Sequence, residues 1–238
     1  MSADWARDSQ LSARAALHAA LGEPARLAIV EDLATSDRSP RELADRLSMP
    51  SNLLAHHLEV LEEVGLIARS ASAGDGRRKY VRLVRPLKAG LETVRHSPRG
   101  EMLFLCSQNS ARSQLAAALW TARTGGPASS AGTRPASRVH RGAVAAAGRA
   151  GVSLAEATPR SLGSIPSTSQ VVTVCDVAHE ELEPASNWWH WSIPDPVPTG
   201  TAAAFDAVVA ELDARIASAA AGLSDSSENK SGRGRRKR

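Results

Sequence analysis

One short stretch, FLCSQNSARSQ at residues 104–114, gathers a thiol, hydroxyls, amides and a guanidinium. Cys106 ends an apolar run, and Arg112 follows after Ser107, Gln108, Asn109, Ser110 and Ala111. If the apolar run is a strand and a helix starts near Ser110, the loop between them can turn successive backbone N–H groups inward. That makes an anion nest, completed by the helix dipole. The same field favours thiolate over thiol at Cys106. Arg112 offers a planar fork suited to two oxygens of a tetrahedral oxyanion. Ser113 is placed to donate to the sulfur, and Asn109 tolerates the left-handed φ that would pin the loop. This is the equipment of a thiolate nucleophile acting on an oxyanion; the alternative is an inert cysteine packed at a strand end.

Displacement on an oxyanion also needs an acid for the departing oxygen. Asp195, in the Asp-Pro step after WWHWSI, is the candidate, although Asp-Pro is also a common turn start. The second cysteine, Cys175, closes VVTVCD and is either a redox partner or a core thiol. Trp188, Trp189 and Trp191 read mainly as core, with one available to wall a pocket.

The elements that must position these residues form two halves. From Leu17 to Leu66 apolar residues recur at helical spacing. LGEPARLAIVEDLA puts Leu27, Ile29, Val30 and Leu33 on one side, with Pro24 in a first turn. SPRELADRLSM carries an N-cap at Ser39, Pro40 at the first helical position and Glu42 in the capping box. A turn at Met49–Pro50 leads into SNLLAHHLEVLEEVGLI, giving a helix-turn-helix. LIARSASAGDGRRKYVRLV then reads as a hairpin crowded with Arg69, Arg77, Arg78, Lys79 and Arg82. A helix-turn-helix with a basic hairpin is a winged helix, which sets its second helix in the major groove and its wing on phosphate.

From Glu101 strands and helices alternate, which predicts an α/β unit with a doubly wound parallel sheet whose site gathers at the carboxyl edge. EMLFLC and QVVTVCD are its buried strands, and TAAAFDAVVAELDARIASAA is a closing helix. The expected layout is a winged helix over 11–88, a linker over 89–99, the α/β domain over 100–222 and a disordered basic tail over 223–238. The tail holds Lys230, Arg233, Arg235, Arg236, Lys237 and Arg238 against Asp225 and Glu228, so it supplies the whole net charge of +4. Two cysteines build neither a disulfide framework nor a structural zinc site, so no metal is expected. With no apolar run of about 18 residues and no basic-then-apolar leader, a cytoplasmic protein follows.

The residues LGEPARLAIV, ELADRL, LLAHHLEVLEEVGLI and GDGRRKYVRL resemble the ArsR-type winged-helix repressors. The resemblance implies a homodimer on a palindromic operator. Ser51, Asn52, His56 and His57 would reach base edges, and Arg77, Arg78 and Lys79 would lie on the wing. SNLLAHHLEVL lacks the closely spaced cysteines of the arsenic-sensing members, which argues against arsenite sensing by thiols there.

Residues 101–222 resemble the low-molecular-weight tyrosine phosphatases and, within them, the thiol-linked arsenate reductases. The matching stretches are FLCSQNSARSQLAAALW, SAGTRPAS, TPRSL, VVTVCD and HWSIPDP. The resemblance implies a four-stranded parallel sheet, Cys106 as nucleophile, and an oxyanion loop formed by Ser107, Gln108, Asn109, Ser110, Ala111, Arg112 and Ser113. Asp195 would be the acid, and Cys175 stands where reductases keep a second redox cysteine. Gln114 and the VPTG after Pro196 resemble reductases more than phosphatases. AHEELEPAS has no third cysteine, so a triple-cysteine relay is excluded and an external thiol or glutaredoxin-like reductant would attack the Cys106–arsenic adduct; no bound cofactor is expected. The competing expectation is an operator-binding regulator with an oxyanion- or redox-sensing domain of weak phosphatase activity.

Overall fold

The computed structural model describes residues 9–84 and 100–231, with 221–231 as backbone only. The expected linker over 89–99 and the end of the tail, 232–238, lie outside the described residues. Two compact units result, one holding the helix-turn-helix and its hairpin strands, the other the segment 72–76 together with everything from the first parallel strand onward.

In the first unit, α1 (Ser9–Leu21) and α2 (Pro24–Leu33) precede α3 (Pro40–Leu47) and α4 (Ser51–Glu63). Pro24 begins α2 behind Glu23, whose carboxylate accepts from the Arg26 N–H at 2.9 Å. The predicted capping box opens α3: Ser39 Oγ accepts from the Glu42 N–H, and Glu42 takes the Ser39 N–H at 2.6 Å. Asp32 on α2 binds Arg38 and Arg46, clamping α2 to α3. Ile29, Val30, Leu33, Leu43, Leu54, Leu58 and Leu61 form the core. Burying each contributes about 1.5–3 kcal/mol, which outweighs the modest propensity of such short helices.

The hairpin pairs β1 (Ile67–Ala71) with β2 (Lys79–Leu83), antiparallel, Ile67 opposite Leu83. Its connection is the run 72–78. Arg38 exchanges both backbone hydrogen bonds with Val81, so the segment before α3 adds a rung to the hairpin.

In the second unit β3 (Met102–Cys106), β4 (Ala128–Gly132), β5 (Gln170–Thr173) and β6 (Trp189–His190) form a parallel sheet in the order β4-β3-β5-β6. The helices are α5 (Arg112–Thr124), α6 (Arg141–Arg149), α7 (Asp176–Glu181) and α8 (Ala202–Ser231). Alternation along β3 sends Met102, Phe104 and Cys106 to the face packed with Leu115, Leu119, Phe205 and Leu212, while Leu103 and Leu105 face Ala131 and Val171. Helix α8 runs nine residues past the boundary expected at 222, to Ser231.

Two placements depart from the sequence reading. Helix α5 starts at Arg112, not near Ser110, which leaves a longer loop after Cys106. Cys175 lies two residues beyond β5, where it caps α7, so it does not end the strand itself. The tryptophans follow the reading: Trp189 and Trp191, alternate in sequence, are buried in the core, and Trp188 packs on the opposite face.

Candidate active site

Because β3 is central, the loop leaving Cys106 opens at the carboxyl edge of the sheet, between β4 and β5. The carbonyls of this loop point outward, and each has a donor. Cys106 O accepts from Thr133 N, Ser107 O from Arg134 N at 2.8 Å, Gln108 O from Ala136 N at 2.9 Å, and Ser110 O from His140 N at 2.8 Å. A peptide whose C=O is tied outward turns its N–H the other way, so this lacing holds the loop's amides toward the interior. Gly132 is needed for the close approach, since a Cβ there would lie 2.7 Å from Ser107 O. Asn109 takes the left-handed conformation expected of it, with φ 48°.

The interior of the loop is a cavity of about 230 Å³. Cys106 lies at its base, with Ser107, Gln108, Ser110, Ala111 and Arg112 along the loop side. Cys175, Val177, Asp195, Val197 and Arg134 complete the wall. Arg112 Nη2 donates to Asp195 Oδ2 at 2.9 Å, and Nη1 donates to Ile193 O at 3.1 Å. Asp195 Oδ1 accepts the Val197 N–H, which orients the carboxylate over the cavity.

Cys106 is 2% exposed. Its sulfur accepts the Asn109 N–H at 3.2 Å and lies 3.0 Å from Ser113 Oγ. Asn109 and Ser113 thus take the places that their residue types suggested, the one pinning the loop and the other beside the sulfur. The side chains of Asn109 and Ser113 are fully buried behind the loop and serve the sulfur and the loop's own geometry. Cys175 Sγ lies 3.2 Å from Ser107 Oγ, and the Val174 N–H bonds Leu105 O at 2.8 Å, so Cys106 ends β3 and Cys175 comes just after the adjacent, hydrogen-bonded β5. Arg134, which closes on Glu181 at 2.6 Å, also lines the cavity. It stands in the quoted SAGTRPAS, yet its chain position says nothing of its reach to this loop.

Behind Cys175 a buried polar group is assembled from Asp176, Thr173, His179 and His190. His190 Nε2 is 3.1 Å from Asp176 Oδ1, and Thr173 Oγ1 bonds Nδ1 of both histidines, whose rings stack at 4.0 Å. Burial works against the charge on Asp176, but its hydrogen bonds, with His190 foremost, hold the carboxyl below its ordinary value.

In the first unit Ser51, Asn52 and His56 are exposed along α4, as are Arg77, Arg78 and Lys79 on the hairpin. His57 is not available to bases: it is buried, with Nδ1 3.7 Å from Glu23 Oε2, because its helical phase matches Leu54 and Leu61. Arg69 is held by Glu62 of α4 at 3.1 Å. Among the described residues no cluster of histidine, cysteine and carboxylate side chains is built for a metal, and no helix is long and apolar enough to cross a membrane.

Residues 101–229, just over half of the chain, match the low molecular weight phosphotyrosine protein phosphatase family. The chain belongs to that family. Residues 21–69 match a helix-turn-helix domain, so a DNA-binding module of ArsR/SmtB type is fused to a phosphatase-fold domain. The HTH-type transcriptional repressor SmtB of Mycobacterium tuberculosis is 38% identical over 73 residues, 31% of this chain and 52% of that one. The chain thus spans about half the length of the curated relatives it matches. Among solved structures, the YwlE arginine phosphatase from Geobacillus stearothermophilus is 23% identical with a TM-score of 0.48, covering 55% of this chain and 96% of that chain. The arsenate reductase from Archaeoglobus fulgidus is 28% identical with a TM-score of 0.42, covering 48% and 94%.

Proposed function

We propose that the phosphatase-fold domain reduces arsenate to arsenite, and that the helix-turn-helix domain binds an operator as a homodimer. The observation that carries the first part is the second thiol on the cavity wall: Cys175 opens onto the same cavity that Cys106 closes. Hydrolysis of a phosphate ester needs one nucleophile and an acid. A second thiol adjacent to the nucleophile adds a route for two electrons.

Arsenate enters the loop and is met by its backbone N–H groups and by Arg112. The Cys106 thiolate attacks arsenic, and an As–O bond breaks as Asp195 protonates the departing oxygen, which leaves as water. Cys175, as thiolate, then attacks Cys106 Sγ. The S–As bond breaks with its electron pair on arsenic, so As(V) becomes As(III) and leaves as arsenite, while the two sulfurs are oxidised to a disulfide. Adjacent strands about 4.8 Å apart are within the reach a disulfide requires. An external thiol or glutaredoxin-like protein returns the disulfide to two thiols. This order gives the first attack on the adduct to Cys175, where the sequence alone favoured the external thiol, because both thiols share one cavity.

Family membership favours a second reading, hydrolysis of a phosphomonoester by the same loop and acid. Arsenate-dependent thiol consumption separates the two. The reductase consumes two thiol equivalents per arsenite in the presence of excess small thiol; a phosphatase releases phosphate from an aryl phosphate and consumes none.

A further inference from the structure

Gln114 stands on the first turn of α5, one residue after Ser113, and is buried without touching the oxyanion cavity's loop side. Its Nε2 lies 3.2 Å from Asn109 O, 3.0 Å from Asn109 Oδ1 and 3.0 Å from Thr158 O. Two of these three partners are main-chain carbonyls, which can only accept. The nitrogen end of the Gln114 amide must therefore face them, and this orientation leaves no choice for Asn109. Its Oδ1 meets a donor and must accept, as it also does from the Arg160 N–H at 2.8 Å.

With Oδ1 fixed, the other end of the Asn109 amide is fixed too. Nδ2 donates to Ser113 Oγ at 2.8 Å and to Ser130 Oγ at 2.9 Å. Ser113 Oγ thus receives a hydrogen from Asn109, and its own single hydrogen is free for its remaining neighbour, the Cys106 sulfur at 3.0 Å. Donors and acceptors follow one direction from Gln114 through Asn109 and Ser113 to the sulfur.

We infer that Gln114 is a positioning residue that aims the Ser113 hydroxyl at the Cys106 sulfur by fixing which way the Asn109 amide points. It touches neither sulfur nor oxyanion. A carboxylate in its place puts acceptors against Asn109 O, Asn109 Oδ1 and Thr158 O. The carboxylate then favours turning the Asn109 amide over, against the hold of the Arg160 N–H on Oδ1; in the turned population Ser113 donates to the incoming amide oxygen, and the thiolate loses its hydroxyl donor. The inference rests on Cys106 reacting as a thiolate, and it holds whichever oxyanion is the substrate.

The test is alkylation of Cys106 by iodoacetamide, followed against pH by mass spectrometry of the full chain, with no oxyanion present. The other ionisable groups of the cavity, Arg112, Arg134, Asp195 and Cys175, are unchanged in every variant. Gln114→Glu is expected to move the midpoint of the profile upward by about one pH unit, the worth of one hydrogen bond to a charged group. Gln114→Met keeps the length without the donors. It is expected to move the midpoint by about half as much, since Arg160 N still holds Asn109 Oδ1, and it serves if the glutamate variant does not fold. Ser113→Ala should shift the midpoint as well, and adding Gln114→Met to it should change nothing further, because the effect of Gln114 passes through that hydroxyl. An unmoved midpoint in the Gln114 variants, or a full additional shift on the Ser113→Ala background, overturns the inference.

Discussion

Arg112 and Asp195, 83 positions apart in sequence, meet at 2.9 Å across the mouth of the cavity. The guanidinium that must fork around an oxyanion is thereby held in place by the carboxylate that must protonate its leaving oxygen. One ion pair positions both groups, and Asp195 competes with the incoming anion for Arg112.

That competition gives Asp195→Asn a divided outcome. Without the carboxylate, Arg112 is free to meet an anion, so phosphate affinity should rise a few-fold. Turnover should fall by about 10²–10⁴, the usual contribution of a positioned acid. Phosphate titration and initial rates on one preparation separate the two effects; loss of affinity together with turnover would count against the acid role.

Arg112→Lys should lose both. A point charge on a flexible stem cannot hold Ile193 O and Asp195 together as the fork does, nor bind two oxygens at once. The expected result is phosphate affinity at least about tenfold weaker and turnover near background. Unchanged phosphate affinity would remove Arg112 from the oxyanion site.

Asp176 makes acid stability measurable. Its carboxyl is held below its ordinary value of 3.8, so the stabilisation from pairing with His190 is fully present above that value. It is lost as pH falls through the lower, folded-state value, because the unfolded chain takes up the proton first. Urea midpoints measured below about pH 4 should fall less steeply with pH in Asp176→Asn than in the wild type. Equal slopes would mean that Asp176 titrates alike in the folded and unfolded chain.

On the DNA side, the exposed Arg77, Arg78 and Lys79 are expected to lie on phosphate. Replacing all three by alanine should weaken binding to any duplex. It should also flatten the plot of log affinity against log salt by about 2.7, at roughly 0.9 for each phosphate no longer neutralised. A slope unchanged from the wild type would place the hairpin away from the backbone.

What the sequence revealed was local. The capping box of Ser39 and Glu42, the strand ending at Cys106 and the loop up to Arg112 depend on neighbours within a few positions, and each reads directly from spacing and residue type. His57 was harder, because His56 and His57 differ only by one step of helical phase, and only the packing of Leu54, Leu58 and Leu61 decides which turns inward. The reach of Gln114 to Thr158 crosses 44 positions and that of Asn109 to Arg160 crosses 51, so no spacing could foretell them. The partnership of Cys106 with Cys175 likewise waits on strand order, which puts β5 beside β3.

The shared cavity of the two cysteines leads to one measurement without added reductant. The chain is fully reduced, freed of thiol, and mixed with arsenate; arsenite and remaining thiols are then counted. Since the two cysteines together hold the two electrons required, the wild type should release about one arsenite per chain and lose both thiols to a Cys106–Cys175 disulfide. Cys106→Ser and Cys175→Ala should release none. A wild type that releases no arsenite here, yet turns over when excess small thiol is supplied, would contradict the role of Cys175, and one that releases none under either condition would contradict arsenate reduction itself.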